Sequence, residues 1–332
     1  MTLFLSSDDV SGLTEPADFV DAVREGYRQR GNGAPAKPRT TLQNDDPPGM
    51  LFSYSAVLPE TGAMGGYMYS AGFAERDAWF ATPLFDADTG EPLAMIDGAS
   101  MNPFKTGAAG AVGVDALARR DASSLAIIGT GPQARGQLRA TVEVRNFETV
   151  DVYSPTNAHR EDFAAEMNER LDPAVAAVAS PSAAVEGADV VVTATTASEP
   201  VFDGADLADG AHVTAMGQYH PAKRELDETT IERATYVPDL RERVTQDAGS
   251  FIAAMDAGVV DEDDVYAELG DVVAGNVNGR SSPEEVTVFD SGGTGIETVA
   301  AAYLLYERAL AHDDDLGTEI DWLPASDALT GE

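Results

Sequence analysis

The spacing of hydrophobic residues predicts two kinds of structure along this chain. Between residues 50 and 96, four stretches have strand character, and the turn Asp86–Gly90 separates the last two. From residue 125 to about 290, strand-like and helix-like segments alternate, which is typical of a doubly wound parallel sheet. The predicted strands are 50–58, 64–70, 78–85 and 92–96 in the first region, and 125–128, 149–153, 189–194, 211–216 and 235–237 in the second.

Three further helices are predicted outside the alternating region. The first begins at Pro16 and ends at Gly31, with its apolar residues at helical spacing. The second begins at Asn102 as its cap and carries only small residues and valine over 107–113, so we expect it to lie very close to a neighbour. The last covers 294–311, and we expect the acidic tail after it to be at most partly ordered.

A glycine turn joins the strand 125–128 to the helix that follows. Gly129 suits a tight turn, Gly131 lets a ligand approach the backbone, and the small Ala134 can pack against the strand. The free N–H groups and the positive end of the helix dipole then favour a diphosphate. A purely structural turn is the alternative, but the alternation that follows favours a dinucleotide site. The predicted loop is Gly129, Thr130, Gly131, Pro132, Gln133, Ala134 and Arg135.

The end of the next strand predicts which dinucleotide binds. An acidic residue at this place favours NAD, and here Ser154 stands in its position. Ser154 and Thr156 are small polar residues that leave space for a 2′-phosphate. Arg135 or Arg160 can supply its positive partner. The sequence therefore favours NADP(H) over NAD(H).

The composition adds a strong negative charge. The 332 residues include 57 acidic and 21 basic ones, a net charge of −36 with only three lysines. Such a surface is typical of an extreme halophile, because concentrated salt screens the repulsion, and it argues against nucleic-acid binding. The absence of cysteine excludes disulfides, and the four histidines lack the spacing of metal ligands. Since neither a membrane-length apolar run nor a signal pattern occurs, we expect a cytoplasmic protein without a membrane partner.

Motifs over nearly the whole chain carry a resemblance to a known family. They are Pro38–Arg39, Leu84–Asp86 with Gly90–Ala94, Lys105–Ala109, Gly129–Arg135, Ala188–Thr195, Lys223–Asp227, Ala267–Gly270 and Val288–Gly292. In these motifs the chain resembles the ornithine cyclodeaminase/mu-crystallin family, which includes archaeal alanine dehydrogenases and ketimine reductases. The resemblance implies a homodimer of α/β fold. A Rossmann-type doubly wound parallel sheet would occupy 117–295, and a second α+β domain for substrate binding and dimerisation would occupy 1–116 with 296–332.

The resemblance also implies which residues bind the substrate. Arg39 keeps a family arginine that binds the substrate carboxylate, and a planar guanidinium suits that task. Three family residues are replaced: the catalytic lysine by Tyr67, an arginine by Lys105, and the cyclodeaminase aspartate by Tyr219. Lys105 is predicted to be a second carboxylate ligand and a catalytic residue. Tyr67, Tyr219 or His220 can supply a proton, although each can equally be a structural residue. Beside the cofactor the resemblance places Thr195, Asp290, Ser291 and Gly292.

These replacements argue against cyclodeamination, because they remove the family's ammonium beside the reacting nitrogen and the carboxylate that would activate water. The predicted reaction is hydride transfer between NAD(P)H and a small amino or imino acid, as in alanine dehydrogenases or ketimine and pyrroline-2-carboxylate reductases. An ornithine cyclodeaminase with bound NAD and an NADPH-binding protein of the mu-crystallin type with little turnover are the alternatives. Positive charge on Arg39 and Lys105 is expected to offset the repulsion of an anionic substrate by so acidic a chain.

Overall fold

The computed structural model describes residues 2–73, 78–314 and 316–325, and its strands form two seven-stranded sheets. The strands are β1 (Thr2–Leu5), β2 (Thr40–Asp45), β3 (Pro48–Leu58), β4 (Ala63–Ala71), β5 (Trp79–Asp86), β6 (Pro92–Asp97), β7 (Ser124–Ile128), β8 (Thr149–Tyr153), β9 (Ala174–Ala177), β10 (Val190–Thr193), β11 (His212–Ala215), β12 (Ala234–Pro238), β13 (Val286–Asp290) and β14 (Thr318–Ile320). The helices are α1 (Ser7–Val10), α2 (Pro16–Gly31), α3 (Asn102–Leu117), α4 (Pro132–Val144), α5 (Asn157–Asn168), α6 (Pro181–Val185), α7 (Glu228–Arg233), α8 (Gly249–Asp256), α9 (Leu269–Val273) and α10 (Gly295–Ala311).

The first sheet has the order β14-β1-β6-β5-β4-β3-β2 and is antiparallel except between β1 and β6. Alternate residues of β3, namely Phe52, Tyr54 and Ala56, point into the core that α2 and α10 complete. The outer face leaves Leu51 and Met68 exposed. The four predicted strands of this region are confirmed.

The second sheet is entirely parallel, with the order β12-β13-β11-β10-β7-β8-β9. From β7 the chain first adds strands towards β9 and then, with β10, continues on the other side of β7. Parallel sheets bind ligands outside the carboxyl ends of the strands, at the point where the order reverses. The predicted doubly wound parallel sheet is confirmed.

Helices α3 and α4 cross with their backbones in close contact, as the small residues predicted. A Cβ atom on Gly107 would lie 2.3 Å from the carbonyl oxygen of Gly136, and a Cβ atom on Gly136 would lie 2.1 Å from that of Pro103. Helix α3 is capped by Met101, so Asn102 is its first residue and not its cap. The contact brings the start of α3, which carries Lys105, beside the start of α4.

The strands of the first sheet lie within 2–97 and 318–320, and those of the second within 124–290. The domain boundaries expected from the sequence, 1–116 with 296–332 and 117–295, stay a prediction. The acidic tail contributes β14, which pairs with β1, while 326–332 lie outside the described residues. In the part of the chain that the structure describes, we find no helix with the length and apolar character to cross a membrane.

Candidate active site

The parallel sheet brings the predicted cofactor residues to one edge. Its register aligns the last residues of five neighbouring strands, since Ile128 lies beside Tyr153 on one side and Thr193 on the other, and Thr193 is followed across the sheet by Ala215 and Asp290. The loops that start at this edge therefore begin with Gly129, Ser154, Ala194, Met216 and Ser291.

The turn after β7 has the form that a dinucleotide diphosphate requires. Gly129 has φ +121°, a value that favours glycine, and a Cβ atom there would lie 2.4 Å from the carbonyl oxygen of Ala194. A Cβ atom on Gly131 would meet no described atom within 4 Å, so open space borders the backbone. Helix α4 begins at Pro132, and its first N–H groups lack intrahelical acceptors. The loop fits the diphosphate of a dinucleotide.

The end of β8 distinguishes the two arginines considered for a 2′-phosphate. Ser154 is buried, and its carbonyl oxygen accepts a hydrogen bond of 2.8 Å from Nη1 of Arg160. Arg135 instead pairs with Glu166, with 2.8 Å between Nε and Oε2. Thr156 caps α5 without a side-chain hydrogen bond to that helix. Arg160 therefore lies at the end of β8, whereas Arg135 is paired with Glu166.

The buried carboxylate of Glu225 ties two strand ends together at this edge. It accepts hydrogen bonds from the backbone N–H groups of Thr195 (2.7 Å) and Gly217 (2.8 Å) and from the hydroxyl of Thr193 (3.0 Å). Burial raises the pKa of Glu225, and these hydrogen bonds oppose the rise. Glu225 thus fixes the backbone of Thr195, a predicted cofactor residue.

Arg39 lies buried in an aromatic site, 4% exposed. Its Nη1 atom lies 3.2 Å from Oδ2 of Asp247, and its Nη2 donates to the carbonyl oxygen of Gly292. The guanidinium carbon lies 4.2 Å from the ring centre of Tyr219 and 5.3 Å from that of Tyr54. Nε of Arg39 has no hydrogen-bond partner among the described residues. A buried N–H donor without a partner is suited to binding an anion.

Lys105 is also buried, at 1% exposure, so it is not a surface charge. Its Nζ atom lies 3.2 Å from Oε1 of Glu297, 3.5 Å from the hydroxyl of Tyr54 and 5.0 Å from the ring centre of Tyr67. Burial lowers the pKa of Lys105, and Glu297 opposes that effect. Since Nζ also lies 5.8 Å from the ring centre of Tyr54, that tyrosine brings Lys105 and Arg39 into one site.

The three candidate proton donors have different surroundings. Tyr67 is buried, donates a 3.0 Å hydrogen bond to the carbonyl oxygen of Gly98, and has a pKa raised by burial well above its ordinary value. Tyr219 covers Arg39 and remains 39% exposed. His220 is exposed, and its Nδ1 accepts a 3.1 Å hydrogen bond from the backbone N–H of Ala222. Their roles in proton transfer stay predictions.

A buried network holds the loop after β13. The hydroxyl of Ser291 and the N–H of Gly292 both donate to Oδ2 of Asp239, at 2.7 Å and 3.1 Å. Burial raises the pKa of Asp239 to about 6. Arg243 donates to Oδ1 of Asp290 at 2.7 Å. Because Arg39 binds the carbonyl oxygen of Gly292, this loop connects the arginine with the strand edge.

The charge balance of the site corrects one expectation. Arg39 and Lys105 do not give the site an excess of positive charge, because each lies beside a carboxylate. Sequence reasoning missed these partners, although Thr294 followed three residues later by Glu297 is a capping-box pattern that pointed to that glutamate. The buried charges of this region are the cations Arg39, Lys105 and Arg243 and the carboxylates Asp239, Asp247, Asp290 and Glu297.

Comparison with known proteins places the chain in a family. The profile of the ornithine cyclodeaminase/mu-crystallin family matches residues 1–313. The chain is 37% identical to a delta(1)-pyrroline-2-carboxylate reductase of Bacillus cereus over 228 residues, which is 68% of this chain and 70% of the relative. It is 31% identical to the alanine dehydrogenase of Archaeoglobus fulgidus over 314 residues, 93% of this chain and 96% of that one.

A solved structure extends the likeness to the whole fold. The delta(1)-pyrroline-2-carboxylate reductase of Thermococcus litoralis, solved in complex with NADH and L-proline, is 34% identical and superposes with a TM-score of 0.90. The match covers 96% of this chain and 100% of that one. The chain therefore belongs to the ornithine cyclodeaminase/mu-crystallin family and is an NAD(P)-dependent oxidoreductase.

Proposed function

We propose that this oxidoreductase transfers a hydride between NADP(H) and C2 of a small 2-imino acid, with oxidation of the amino acid as the reverse reaction. The observation that carries the proposal is that Arg39 and Lys105 lie buried against the same ring, Tyr54, beside the loop that leaves β13. One cation can bind a carboxylate while the other lies near the nitrogen on C2. The functions of the reductase and dehydrogenase relatives agree with this assignment.

The residues that would hold the cofactor follow from the strand edge. The turn at Gly129 and Gly131 and the start of α4 would bind the diphosphate. Ser154 and Thr156 would lie at the adenosine ribose, and the loop from Asp290 to Gly292 at the nicotinamide. When bound, the reduced nicotinamide supplies the hydride. We propose NADP(H) over NAD(H), because Ser154 follows β8 in place of an acidic residue and Arg160 donates to its carbonyl oxygen.

The chain's own residues would then orient the substrate. The guanidinium of Arg39 is held by Asp247, Gly292 and the aromatic rings, so it can bind a carboxylate with little loss of conformational freedom. Tyr54 and Tyr219 would exclude water from the reacting carbon. Water exclusion matters because an imine in water hydrolyses to a ketone.

Two alternatives make different predictions. In a cyclodeaminase, position 219 would supply a carboxylate, but here its side chain is a tyrosine stacked on Arg39 at 4.2 Å. A dinucleotide-binding protein of the mu-crystallin type would bind NADPH with little turnover. The replacements of the family lysine by Tyr67 and of the cyclodeaminase aspartate by Tyr219 are the features that favour it.

The test is a panel of amino acids, 2-keto acids with ammonia and cyclic imino acids, assayed at molar KCl with NADPH and NADH by nicotinamide absorbance. We expect turnover of at least one imino acid and none of ornithine. Release of ammonia from ornithine without added cofactor would indicate a cyclodeaminase. Tight NADPH binding with no turnover across the panel would favour the binding protein.

Assembly and location complete the proposal. The exposed apolar residues on the outer face of the first sheet suit a homodimer interface; they are Leu42, Leu51, Met68 and Trp79. The family resemblance and the apolar character of this face support a homodimer, and a cytoplasmic location agrees with a small-molecule substrate and a dinucleotide. A halophilic origin is proposed from the charge alone.

A further inference from the structure

Glu297 lies at the start of α10, fully buried. Its Oε1 atom accepts a 2.7 Å hydrogen bond from the N–H of Thr294, and the Thr294 side chain in return accepts from the backbone of α10, so the two residues form a capping box. Oε2 of Glu297 also accepts a hydrogen bond from the Thr294 hydroxyl. The same Oε1 lies 3.2 Å from Nζ of Lys105 on α3. Capping alone needs only an amide or carboxyl oxygen. The negative charge of Glu297 therefore has a second use.

That use is defined by the surroundings of Lys105. The ammonium is flanked by the hydroxyl of Tyr54 on β3, the ring of Tyr67 on β4 and the carboxylate of Glu297 on α10. The charges of Arg39 and Asp239 also act on it. Burial and Arg39 disfavour the ammonium, whereas Glu297 and Asp239 favour it, and of the two carboxylates Glu297 is the one in direct contact.

We propose that Glu297 is a positioning residue that keeps Lys105 protonated over Tyr67, so that Lys105 is the proton donor to the substrate nitrogen. The inference rests on the proposed function. It gives this site an ammonium supplied from α3, above the tyrosine that stands where the family resemblance expects a lysine on β4. The hydroxyl of Tyr67 is a poorer donor because it already donates to the carbonyl oxygen of Gly98.

The chemical step is balanced by the reduced dinucleotide. Its hydride, carrying two electrons, forms a C–H bond at C2, the C=N π bond breaks, and its electron pair forms an N–H bond with a proton from Lys105. The products are the amino acid and the oxidised dinucleotide. Lys105, left as a neutral amine, regains a proton from solvent before the next turnover, and in amino acid oxidation the neutral amine accepts the proton.

The experiment compares Glu297→Gln with the wild type in kcat/KM for imine reduction between about pH 5 and 10. Glutamine preserves the capping oxygen, so the melting temperature should change little. Without its counter-charge Lys105 loses its proton more readily, so the limb on which reduction declines at high pH should move down by about one pH unit or more, with about tenfold lower activity above it. Amino acid oxidation should become active at correspondingly lower pH.

Glu268→Gln is the matched control, because Glu268, the N-cap residue of α9, also takes part in a capping box and pairs with a cation, Arg30, at 2.7 Å. It should leave the pH profile unchanged. A second variant, Lys105→Met, should abolish the decline of kcat/KM at high pH. Adding Glu297→Gln to this variant should cause no further loss of kcat/KM. The comparison of these two variants also tests the proposal if Glu297→Gln alone folds poorly.

Equal loss by Glu297→Gln at every pH, or an unchanged limb in Lys105→Met, would overturn the assignment of Lys105 and Glu297 while leaving the proposed function intact. A wild type that reduces no imino acid of the panel would instead overturn the proposed function, and this inference with it.

Discussion

A glycine near the dinucleotide loop can be required by the ligand or by the fold, and the space around it separates the two cases. A Cβ atom on Gly131 would enter open space, and its φ of −77° suits any residue. A Cβ atom on Gly136 would strike the carbonyl oxygen of Pro103 at 2.1 Å. A substitution of Gly131 therefore tests cofactor binding, whereas a substitution of Gly136 tests the packing of α3 against α4.

We predict that Gly131→Ala leaves the melting temperature of the protein without cofactor unchanged but weakens NADPH binding about 10- to 100-fold, because the methyl group occupies space that the diphosphate needs. Fluorescence titration of NADPH measures this effect. Gly136→Ala is the contrasting variant, and it should lower the melting temperature through backbone displacement. If NADPH binds equally well to Gly131→Ala, the diphosphate lies elsewhere.

We predict that Ser154 decides the cofactor preference. Because Ser154 stands directly after β8 where a carboxylate would favour NADH, NADPH should bind more tightly than NADH. The Ser154→Asp variant should reverse the order by accepting hydrogen bonds from the ribose hydroxyls and repelling the 2′-phosphate. Arg160→Gln should weaken NADPH alone, whereas Arg135→Gln, which removes the partner of Glu166, should have a smaller effect. Tighter binding of NADH by the wild type would contradict this prediction. The Thermococcus relative was solved with NADH, so the two cofactors have to be titrated side by side.

At the scale of elements, sequence periodicity was informative wherever a strand or helix buries one face. Strand β3 and helix α2 were predicted because their apolar residues alternate or recur with the helical period. Strand β2 was missed because all its residues are exposed and polar residues predominate, so its place comes only from pairing with β3. Strands β1 and β14 are short and pair with distant parts of the chain or with each other.

The site shows the same limit. Arg39 and the glycine turn could be found from local motifs, whereas Glu297 lies 192 positions from Lys105 and meets it only in the folded chain. Asp239 and Asp247 likewise became partners of the site through tertiary packing. Motifs carry local geometry, but the ionic partners of a buried charge depend on which elements the topology brings together.

The pairing of β11 with β13 contains a buried histidine, which gives an element-level prediction. Both imidazole nitrogens of His212 lie 2.9 Å from threonine hydroxyls, those of Thr287 and Thr214. Burial lowers the pKa of His212 to about 3. The unfolded chain, with a pKa of about 6.5, therefore binds the proton first, so the stabilisation present above that pH is lost as pH falls towards 3.

Denaturant unfolding should show this loss directly. Between about pH 7.5 and 5, the free energy of unfolding of the wild type should fall by about 2 kcal/mol more than that of His212→Gln, which cannot take up a proton. Comparing the two proteins cancels the contribution of the carboxylates. If the free energy of unfolding changes equally with pH in the two proteins, the imidazole of His212 takes up its proton in the folded state without loss of stability, and the prediction is wrong.

At the scale of the whole molecule, the outer face of the first sheet predicts the assembly. Met68 and Trp79 are 52% and 73% exposed. Large apolar side chains exposed together on one face are typical of a protein interface rather than of the surface of a monomer. We expect a mass near twice 34.8 kDa in sedimentation at molar KCl, and Met68→Glu should shift it towards one chain. Val259→Glu, at an exposed apolar position after α8, is the control and should leave the mass unchanged. A monomeric wild type would refute the dimer.

The net charge of −36 gives the last prediction, since repulsion among so many carboxylates opposes both folding and association. An exposed ion pair such as Lys37–Glu242 offsets little of it, because these side chains keep 75% and 50% of their surface in solvent. Raising KCl from about 0.1 M to 3 M shortens the screening length from about 10 Å to below 3 Å, so the melting temperature should rise steeply with salt. The buried pair Lys105–Glu297 is screened far less, so the pH limb of kcat/KM should move little between about 1 M and 3 M KCl. A melting temperature independent of KCl would show that this acidic surface is not a salt adaptation.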